Sequence, residues 1–239
     1  MNCVLNTLKS KGRENMTVHS VFNRIKSFLM QEIDWTHIGY SNRNSNKLRE
    51  LYDMWAPHYD EEMPEIGYNY TKYLKESFTK LDIQKDVKIL DAACGTGYPT
   101  LSLYNDMGYT NFHGLDYSSG LIEEARKKNI YKSLAVANLI DTISFETNTF
   151  DVVMCVGFFA SGHMGSEPLD EFIRVLKPEG HLICSIGVNI FDTDGFDKKL
   201  QQLQDDNIIQ IDHVSEPFVV VPKANFGTAK SHIWSLRKL

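Results

Sequence analysis

Two carboxylates in this chain each follow a short apolar run, and a glycine-containing loop lies between them. Residues 87–90 lead to Asp91, and residues 112–115 lead to Asp116. Apolar runs of this length are typical of buried parallel strands, whose carboxyl ends meet at one edge of a sheet. A carboxylate at that edge can accept hydrogen bonds from both hydroxyls of a ribose. The spacing therefore predicts a site for a cofactor that contains a nucleoside.

The loop between the two carboxylates discriminates between two such cofactors. A dinucleotide loop has a third glycine, which is replaced by Thr100 here, and Asp91 would repel a pyrophosphate. The same carboxylate attracts the ammonium group of S-adenosylmethionine, which has a sulfonium and a ribose but no phosphate. The charges therefore favour S-adenosylmethionine, with NAD as the alternative. The loop residues that we expect at this site are Ala93, Cys94, Gly95 and Gly97.

Four motifs in a fixed order carry a resemblance to a known family. They lie at 51–60, at 91–97 (Asp-Ala-Ala-Cys-Gly-Thr-Gly), at 150–157 and at 174–182. At these positions, and over about residues 47–190, the chain resembles the class I S-adenosylmethionine-dependent methyltransferases. The first motif is similar to a Tyr-Asp-x-Trp-Ala-x-x-Tyr-Asp box of one subgroup. One departure is Ala93, where many members have glycine.

The resemblance implies a set of residues that bind the cofactor. Asp116 would hold the ribose, and Tyr117 would flank the adenine ring. Asn138 and Leu139 would lie along the adenine edge; many relatives have an aspartate in place of Asn138, but an amide both donates and accepts hydrogen bonds. The full set of expected cofactor-binding residues is Tyr52, Tyr59, Asp91, Ala93, Cys94, Gly95, Gly97, Asp116, Tyr117, Ser118, Asn138, Leu139 and Val156.

Segment 157–164 follows the predicted fourth strand, and in the resembling family this loop faces the transferred methyl group. It lacks the Asn/Asp-Pro-Pro-Tyr/Phe box of enzymes that methylate planar amino groups of bases or glutamine. His163 is the candidate catalytic base, because the ordinary pKa of histidine lies near neutrality. A histidine in a loop is also compatible with no role in the reaction. No spacing typical of a metal site is present, so no metal is expected.

Apolar runs and helical patterns alternate along the middle of the chain. Strands are predicted at about 87–92, 111–116, 132–137, 151–157 and 181–187, and helices at about 97–108, 118–128, 168–177 and 194–206. This alternation predicts a doubly wound α/β sheet, which the resemblance identifies as a Rossmann-like methyltransferase sheet. The runs 208–214, 218–221 and 231–236 have no helix between them. They predict an antiparallel ending on a mostly parallel sheet.

Three regions are expected along the chain. Residues 1–45 form an N-terminal extension with a basic amphipathic helix, which is either an accessory helix or a mitochondrial targeting sequence. Residues 46–82 form a helical lid, in which the first helix stops at Pro57, residues 61–68 form a loop and a second helix spans 70–81. Residues 83–239 form the domain that binds S-adenosylmethionine.

Composition restricts the class of protein. Apolar residues are 42% and charged residues 23% of the chain, as in ordinary soluble globular proteins. The net charge of −6 argues against a nucleic-acid partner, and no apolar run is long enough to cross a membrane. Four cysteines without a Cys-x-x-Cys spacing favour the cytoplasm, with a mitochondrion as the alternative. The pattern does not indicate an oligomeric state.

These observations predict an S-adenosylmethionine-dependent methyltransferase that transfers a methyl group by direct displacement to an oxygen or nitrogen atom. A general base is needed only if the acceptor must lose a proton. A lid suits a small-molecule acceptor better than an extended polymer. Two alternatives are a protein acceptor and a module that binds the cofactor without turnover and acts through a partner. A nicotinamide oxidoreductase is a fourth hypothesis.

Overall fold

Two helices precede the sheet. The computed structural model describes residues 46–161, 163–223 and 229–239, so the amphipathic helix predicted within residues 1–45 lies outside the described residues. Helix α1 spans Asn46–Ile66 and helix α2 spans Tyr70–Lys80. The second of these helices was predicted to within one residue.

Helix α1 is longer than its sequence suggested. It continues through Pro57 and Pro64, so the predicted stop at Pro57 was wrong, and the predicted loop over 61–68 was wrong as far as Ile66. A proline in a helix interior removes a backbone donor and costs about 3 kcal/mol. Tertiary packing outweighs that cost here, because Ala56 and Met63 are only 4% and 1% exposed.

The middle of the chain forms a parallel α/β sheet. Its elements in chain order are β1 (Ile89–Ala92), α3 (Tyr98–Met107), β2 (Phe112–Asp116), α4 (Ser119–Lys127), β3 (Tyr131–Val136), β4 (Phe150–Phe159), α5 (Leu169–Val175) and β5 (Leu176–Gly187). The strands pair in parallel in the order β3-β2-β1-β4-β5. The predicted alternation of strands and helices is confirmed, although several boundaries differ by a few residues.

The C-terminal part of the chain adds antiparallel strands. After a short 3-10 helix at Val188–Ile190, the elements are α6 (Phe196–Asp205), β6 (Ile209–Val214), β7 (Phe218–Val219) and β8 (Lys230–Lys238). Strand β8 lies between β5 and β6 and runs antiparallel to both, and β7 also pairs with β8. The predicted antiparallel ending on a mostly parallel sheet is confirmed. The predicted run 218–221 forms a strand only at Phe218–Val219.

Apolar cores cover both faces of the sheet. Adjacent residues of a strand point to opposite faces, so Leu90 joins one core and Ile89 joins the other. Strand β8 contributes in the same way, with Leu236 in the first core and Ile233 in the second. The strand order reverses at β1, which has β2 on one side and β4 on the other. Sheets of this kind bind ligands at that point, outside the carboxyl ends of the strands.

Local signals set the boundaries of the helices next to this edge. Helix α3 follows Gly97 and is followed by Gly108, and the two glycines have φ values of +77° and +76°. Ser118 caps helix α4, because its Oγ accepts a hydrogen bond from the Leu121 backbone N–H at 3.0 Å. These boundaries place the loops after β1 and β2 side by side.

The described ranges were also searched for membrane-spanning and metal-binding features. Within residues 46–161, 163–223 and 229–239, no helix is long and apolar enough to cross a membrane. In the same part of the chain, no group of three or more His, Cys, Asp or Glu side chains is placed to hold a metal ion. The described cysteines, Cys94, Cys155 and Cys184, are free and buried.

Candidate functional site

A pocket opens at the carboxyl ends of β1, β2 and β4, and helix α1 lies along it. It contains about 950 Å³ of space, including the part open to solvent. The residues predicted from the sequence that line it are Tyr52, Tyr59, Asp91, Ala93, Cys94, Gly95, Asp116, Tyr117, Ser118, Asn138, Leu139, Val156 and His163. Gly97 was also predicted, but it does not contribute to the lining.

Gly97 acts through the backbone instead. Its φ of +77° lies in the left-handed region, and a Cβ at this position would be 2.8 Å from the Tyr131 ring. The Tyr131 hydroxyl donates a hydrogen bond to Asp91 Oδ2 at 2.6 Å. A side chain at position 97 would therefore displace the group that orients Asp91. Ala93 also has a positive φ, +60°, which is a strained conformation for a residue with a Cβ.

Asp91 is the last residue but one of β1, lines the pocket and is only 3% exposed. Its Oδ2 atom accepts hydrogen bonds from the Tyr131 hydroxyl and from Thr100 Oγ1. Burial raises the pKa of Asp91 to about 7, although both hydroxyl donors act in the opposite direction. A ligand that brings a positive charge to this carboxylate would stabilise its ionised form.

Asp116 ends β2 and is 8% exposed. Its Oδ2 accepts a hydrogen bond from the Gly95 N–H at 2.8 Å, and its Oδ1 accepts one from the Ser118 N–H at 2.8 Å. Burial raises the pKa of Asp116 to about 6 in spite of these backbone donors. The two amides fix the plane of the carboxylate, and each oxygen retains a lone pair that can accept from a ligand hydroxyl.

Helix α1 is attached to the loops after both strands. The Asp53 Oδ1 atom accepts hydrogen bonds from Ser118 Oγ at 2.5 Å and from the Gly120 N–H at 2.8 Å. At the last residue of the predicted Tyr-Asp box, Asp60 Oδ1 accepts a hydrogen bond from Thr96 Oγ1 at 2.5 Å. These contacts hold the helix against the start of α4 and against the glycine-containing loop.

Aromatic side chains of α1 form one wall of the pocket. Trp55 packs between the lining residues Tyr52 and Tyr59, with ring centroids 5.9 Å and 4.8 Å away. The hydroxyls of Tyr59 and Tyr68 are hydrogen-bonded to each other. Burial raises the pKa of the Tyr52, Tyr59 and Tyr68 hydroxyls, so all three remain protonated at neutral pH.

His163 lies in the loop after β4 and contacts helix α1. Its Nε2 atom is 3.0 Å from the Tyr52 hydroxyl, and its Nδ1 atom is 3.3 Å from the Ser161 carbonyl oxygen. A carbonyl oxygen only accepts, so we assign the proton to Nδ1 and infer that Nε2 accepts from Tyr52. Burial lowers the pKa of His163 below its ordinary value, which keeps the ring neutral at pH 7.

The opposite end of the pocket contains the residues predicted to contact adenine. Asn138 and Leu139 follow β3, and Tyr117 follows β2. The Tyr117 hydroxyl donates to Asn46 Oδ1 at 3.1 Å, and the Arg49 guanidinium lies 5.6 Å from the Tyr117 ring centroid. The first turn of α1 therefore reaches the same end of the pocket as Tyr117.

Several lining residues were missed from the sequence. They are Leu48, Arg49, Tyr68, Thr96, Tyr98, Pro99, Leu121, Gly157, Phe158 and Met164. Thr96 lies between two predicted glycines, and Phe158 lies within the loop that was expected to face the methyl group, so both were within reach of motif reasoning. Tyr68 follows α1 by two residues, and it was missed because the helix was expected to stop at Pro57.

The chain is similar to known methyltransferases in sequence and in fold. Residues 90–184 match the family model of the methyltransferase domain. A SAM-dependent methyltransferase from Thermotoga maritima, described as a possible histamine N-methyltransferase, has a similar structure. The TM-score is 0.55 at 14% identity, covering 79% of this chain and 98% of that one. At that identity, the likeness concerns the fold alone.

Two curated proteins are similar to this chain in sequence. Methyltransferase-like protein 27 of Homo sapiens is 32% identical over 137 residues, which cover 56% of this chain and 55% of that protein. A demethylmenaquinone methyltransferase of Geobacillus sp. (strain WCH70) is 29% identical over 149 residues, which cover 58% and 62%. The chain thus spans little more than half the length of these relatives. The resemblance to S-adenosylmethionine-dependent methyltransferases is confirmed.

Proposed function

We propose that the chain is an enzyme that uses S-adenosylmethionine to methylate a small molecule at an oxygen or nitrogen atom. The observation that carries this proposal is the pair of buried carboxylates, Asp91 and Asp116, which line one pocket at the switch point of the sheet. A carboxylate for an ammonium and a carboxylate for a ribose match the two polar ends of this cofactor.

The lining of the pocket fits S-adenosylmethionine better than a dinucleotide. A pyrophosphate would face two carboxylates, and among the described lining residues Arg49 carries the one permanent positive charge. Arg49 lies beside Tyr117 rather than beside the glycine-containing loop. The proposed cofactor contacts are those expected from the sequence: Asp116 for the ribose, Asp91 for the ammonium, and Tyr117, Asn138 and Leu139 for the adenine.

In this proposal, the protein positions the reacting atoms and excludes water from them. When bound, S-adenosylmethionine supplies a methyl group that its sulfonium already activates for direct displacement. Helix α1 covers the pocket and is fastened through Asp53 and Asp60, so we treat residues 46–82 as a lid over the domain formed by residues 83–239. A closed lid removes water from the reacting atoms and fixes their approach.

The shape of the pocket supports a small acceptor. A side chain of a protein acceptor would need an open groove beside the loop after β4, whereas Tyr52 of α1 contacts His163 of that loop. The relative from Geobacillus is named for methylation of demethylmenaquinone, which is a small molecule. A module that binds the cofactor without turnover is the alternative.

The charge and the thiols support the expected partners and compartment. A net charge of −6 disfavours a nucleic-acid acceptor. The buried free thiols Cys94, Cys155 and Cys184 suit a reducing compartment, so we propose the cytosol. The alternative compartment is a mitochondrion, to which a targeting sequence within residues 1–45 would direct the protein.

Calorimetric titration of the chain with S-adenosylmethionine, S-adenosylhomocysteine and NADH tests the proposal. We expect saturable binding of both S-adenosyl compounds and none of NADH. Binding of NADH alone would overturn the cofactor assignment in favour of an oxidoreductase. Binding of S-adenosylmethionine without methyl transfer to any compound of an acceptor panel would favour the module without turnover.

A further inference from the structure

The end of the pocket between α1 and the loop after β4 differs chemically from the rest. Among the described lining residues, the carboxyl groups are those of Asp91 and Asp116 and the permanent cation is that of Arg49; they lie along β1, β2 and the first turn of α1. The other end carries no ionised group, because His163 is neutral. We call it the aromatic end and define it by Tyr52, Tyr59, Tyr68, Phe158, His163 and Met164.

The polar groups of the aromatic end are arranged in two pairs. The hydroxyls of Tyr59 and Tyr68 are hydrogen-bonded to each other. The Tyr52 hydroxyl donates to His163 Nε2 at 3.0 Å, and the proton on Nδ1 is held by the Ser161 carbonyl. A hydroxyl that donates to an imidazole is polarised, which makes its oxygen a better acceptor for a third group. The Tyr52 oxygen is therefore suited to receive a hydrogen bond from a ligand.

We propose that the acceptor is a neutral, flat aromatic compound with a hydroxyl group, and that the Tyr52–His163 pair receives the proton of that hydroxyl. The inference rests on the proposed function, because it names the substrate class of the same site. The aromatic rings supply flat apolar faces for the acceptor ring, and Met164 supplies a further apolar contact. The pair supplies the polar contact that selects a hydroxyl and orients its oxygen.

The proton path is balanced within this pair. The acceptor hydroxyl donates to the Tyr52 oxygen, and as the new oxygen–methyl bond forms, the hydroxyl proton moves to Tyr52. The electron pair of the O–H bond stays on the acceptor oxygen, and the pair of the methyl–sulfur bond leaves with the sulfur. Tyr52 passes its own proton to His163 Nε2, so the tyrosine stays neutral and an imidazolium forms. Solvent removes that proton after the lid opens.

The absence of ionised groups at the aromatic end implies selection against charged acceptors. An anion would have to lose its hydration without meeting a cation at this end. An ammonium would have to lose its hydration without meeting a carboxylate there, because the bound cofactor occupies Asp91 and Asp116. Its nitrogen also cannot attack until it has lost a proton. A neutral hydroxyl compound avoids both penalties.

Binding of three matched compounds tests this selection. With the chain saturated by S-adenosylhomocysteine, we would titrate 2-naphthol, 2-naphthoate and 2-naphthylmethylammonium in a calorimeter. We expect 2-naphthol to bind at least about tenfold more tightly than either ion, the effect of one unmatched buried polar group. Equal or tighter binding of an ion, or no binding of 2-naphthol, would overturn the proposal.

A pair of conservative variants tests the role of the hydroxyl. Tyr52→Phe keeps the ring and removes the hydroxyl, and Tyr104→Phe removes an exposed hydroxyl on α3 as the matched control. With each variant saturated by S-adenosylhomocysteine, we expect Tyr52→Phe to weaken 2-naphthol binding about tenfold, whereas the control stays within about twofold of the wild type. Unchanged 2-naphthol binding in Tyr52→Phe would overturn the contact.

Histidine ¹⁵N NMR supplies a readout that does not depend on turnover. In the wild-type chain, we expect the His163 signals to show a protonated Nδ1 and an unprotonated Nε2, with the other seven histidines as internal references. Tyr52→Phe should shift the Nε2 resonance. A protonated Nε2 in the wild type would remove the proton acceptor and overturn the path. Failure of S-adenosylhomocysteine to bind would instead refute the proposed function itself.

Discussion

At the scale of single residues, folding makes ionisation of the Asp91 and Asp116 carboxyl groups less favourable. Burial raises their pKa to about 7 and about 6, against about 4 for an exposed aspartate. The folded chain therefore binds more protons than the unfolded chain between those values. The contribution of both groups to the free energy of unfolding is greatest below about pH 4 and is lost as the pH rises through about 6 and 7.

A cationic cofactor should reverse this preference, because it binds the ionised carboxylates. We expect the affinity for S-adenosylmethionine to increase about tenfold or more between about pH 5.5 and pH 7.5, with release of protons on binding. Calorimetry in buffers of different ionisation enthalpy measures both quantities. Asp91→Asn should flatten the upper part of the profile, whereas Asp192→Asn, at an exposed position, should leave it unchanged. A flat wild-type profile would contradict the assignment.

Gly97 offers a test of close packing against a matched control. Gly97 and Gly108 have nearly the same φ, but a Cβ at Gly97 would clash with Tyr131, whereas one at Gly108 would meet nothing within 4 Å. We expect Gly108→Ala to cost about 1 kcal/mol from the left-handed conformation alone. Gly97→Ala should cost about 2 kcal/mol more, within the range for overpacking. Urea denaturation of both variants measures the difference; equal losses would show that Tyr131 moves freely.

The motif residues of the site could be predicted because they lie close together in the sequence. The spacing of the acids after apolar runs and of the glycines between them identifies candidate site residues. The contact between Tyr52 and His163 joins positions 111 residues apart. No local pattern specifies such a contact, because it depends on how α1 crosses the finished sheet.

At the scale of elements, polar contacts attach helix α1 to the loops after β1 and β2. Asp53 supplies one of them, through Ser118 Oγ and the Gly120 N–H. A Cβ at Gly120 would be 2.9 Å from the Asp53 Cα, so the backbones also approach closely here. The helix can therefore loosen locally if this contact is lost, while the sheet keeps its own cores.

Removal of the Asp53 carboxylate should release α1 without unfolding the sheet. We expect Asp53→Ala to increase amide hydrogen exchange across residues 46–66 about tenfold or more, the effect of losing hydrogen bonds to a charged group. Strands β1 to β5 should exchange as in the wild type. Glu50→Ala, at an exposed position of the same helix, is the control. Equal exchange in α1 of both variants would mean that Asp53 does not anchor the helix.

Element boundaries illustrate where sequence patterns stop being sufficient. Strands and helices around the glycine-containing loop were predicted well, since apolar periodicity and glycine positions mark their ends. The end of α1 was not predicted, because a proline is a local signal against a helix. Tertiary packing, which the local sequence does not show, offsets the cost of the proline. Met63, which is 1% exposed, packs only once the rest of the domain has formed.

At the scale of the whole molecule, β8 joins parts of the chain that are distant in sequence. It pairs with β5 on one side and β6 on the other, and its side chains enter both apolar cores. Residues of β8 therefore contribute to both faces of the sheet at once. A local defect in this strand is expected to lower the stability of the whole domain rather than fray one edge.

Leu236→Ala tests this cooperativity, because Leu236 is fully buried and pairs with Leu182 and Ile211. We expect the free energy of unfolding to fall by about 2–5 kcal/mol. Circular dichroism and tryptophan fluorescence should give coincident transitions. Leu239→Ala, at a position 46% exposed, should change it by less than about 0.5 kcal/mol. Separate transitions in the Leu236 variant would show two independently stable units.

The position of β8 between β5 and β6 also determines when these strands can pair during synthesis on the ribosome. Synthesis delivers β6 (Ile209–Val214) before β8 (Lys230–Lys238), yet among the strands of the described residues β6 pairs only with β8. The nascent chain must therefore carry an unpaired strand, and an open edge on β5, until β8 has left the exit tunnel. Unpaired edges invite contacts with other chains. The strand order that completes the sheet therefore also defines an interval of translation in which a chaperone could shield the unpaired edges of β5 and β6.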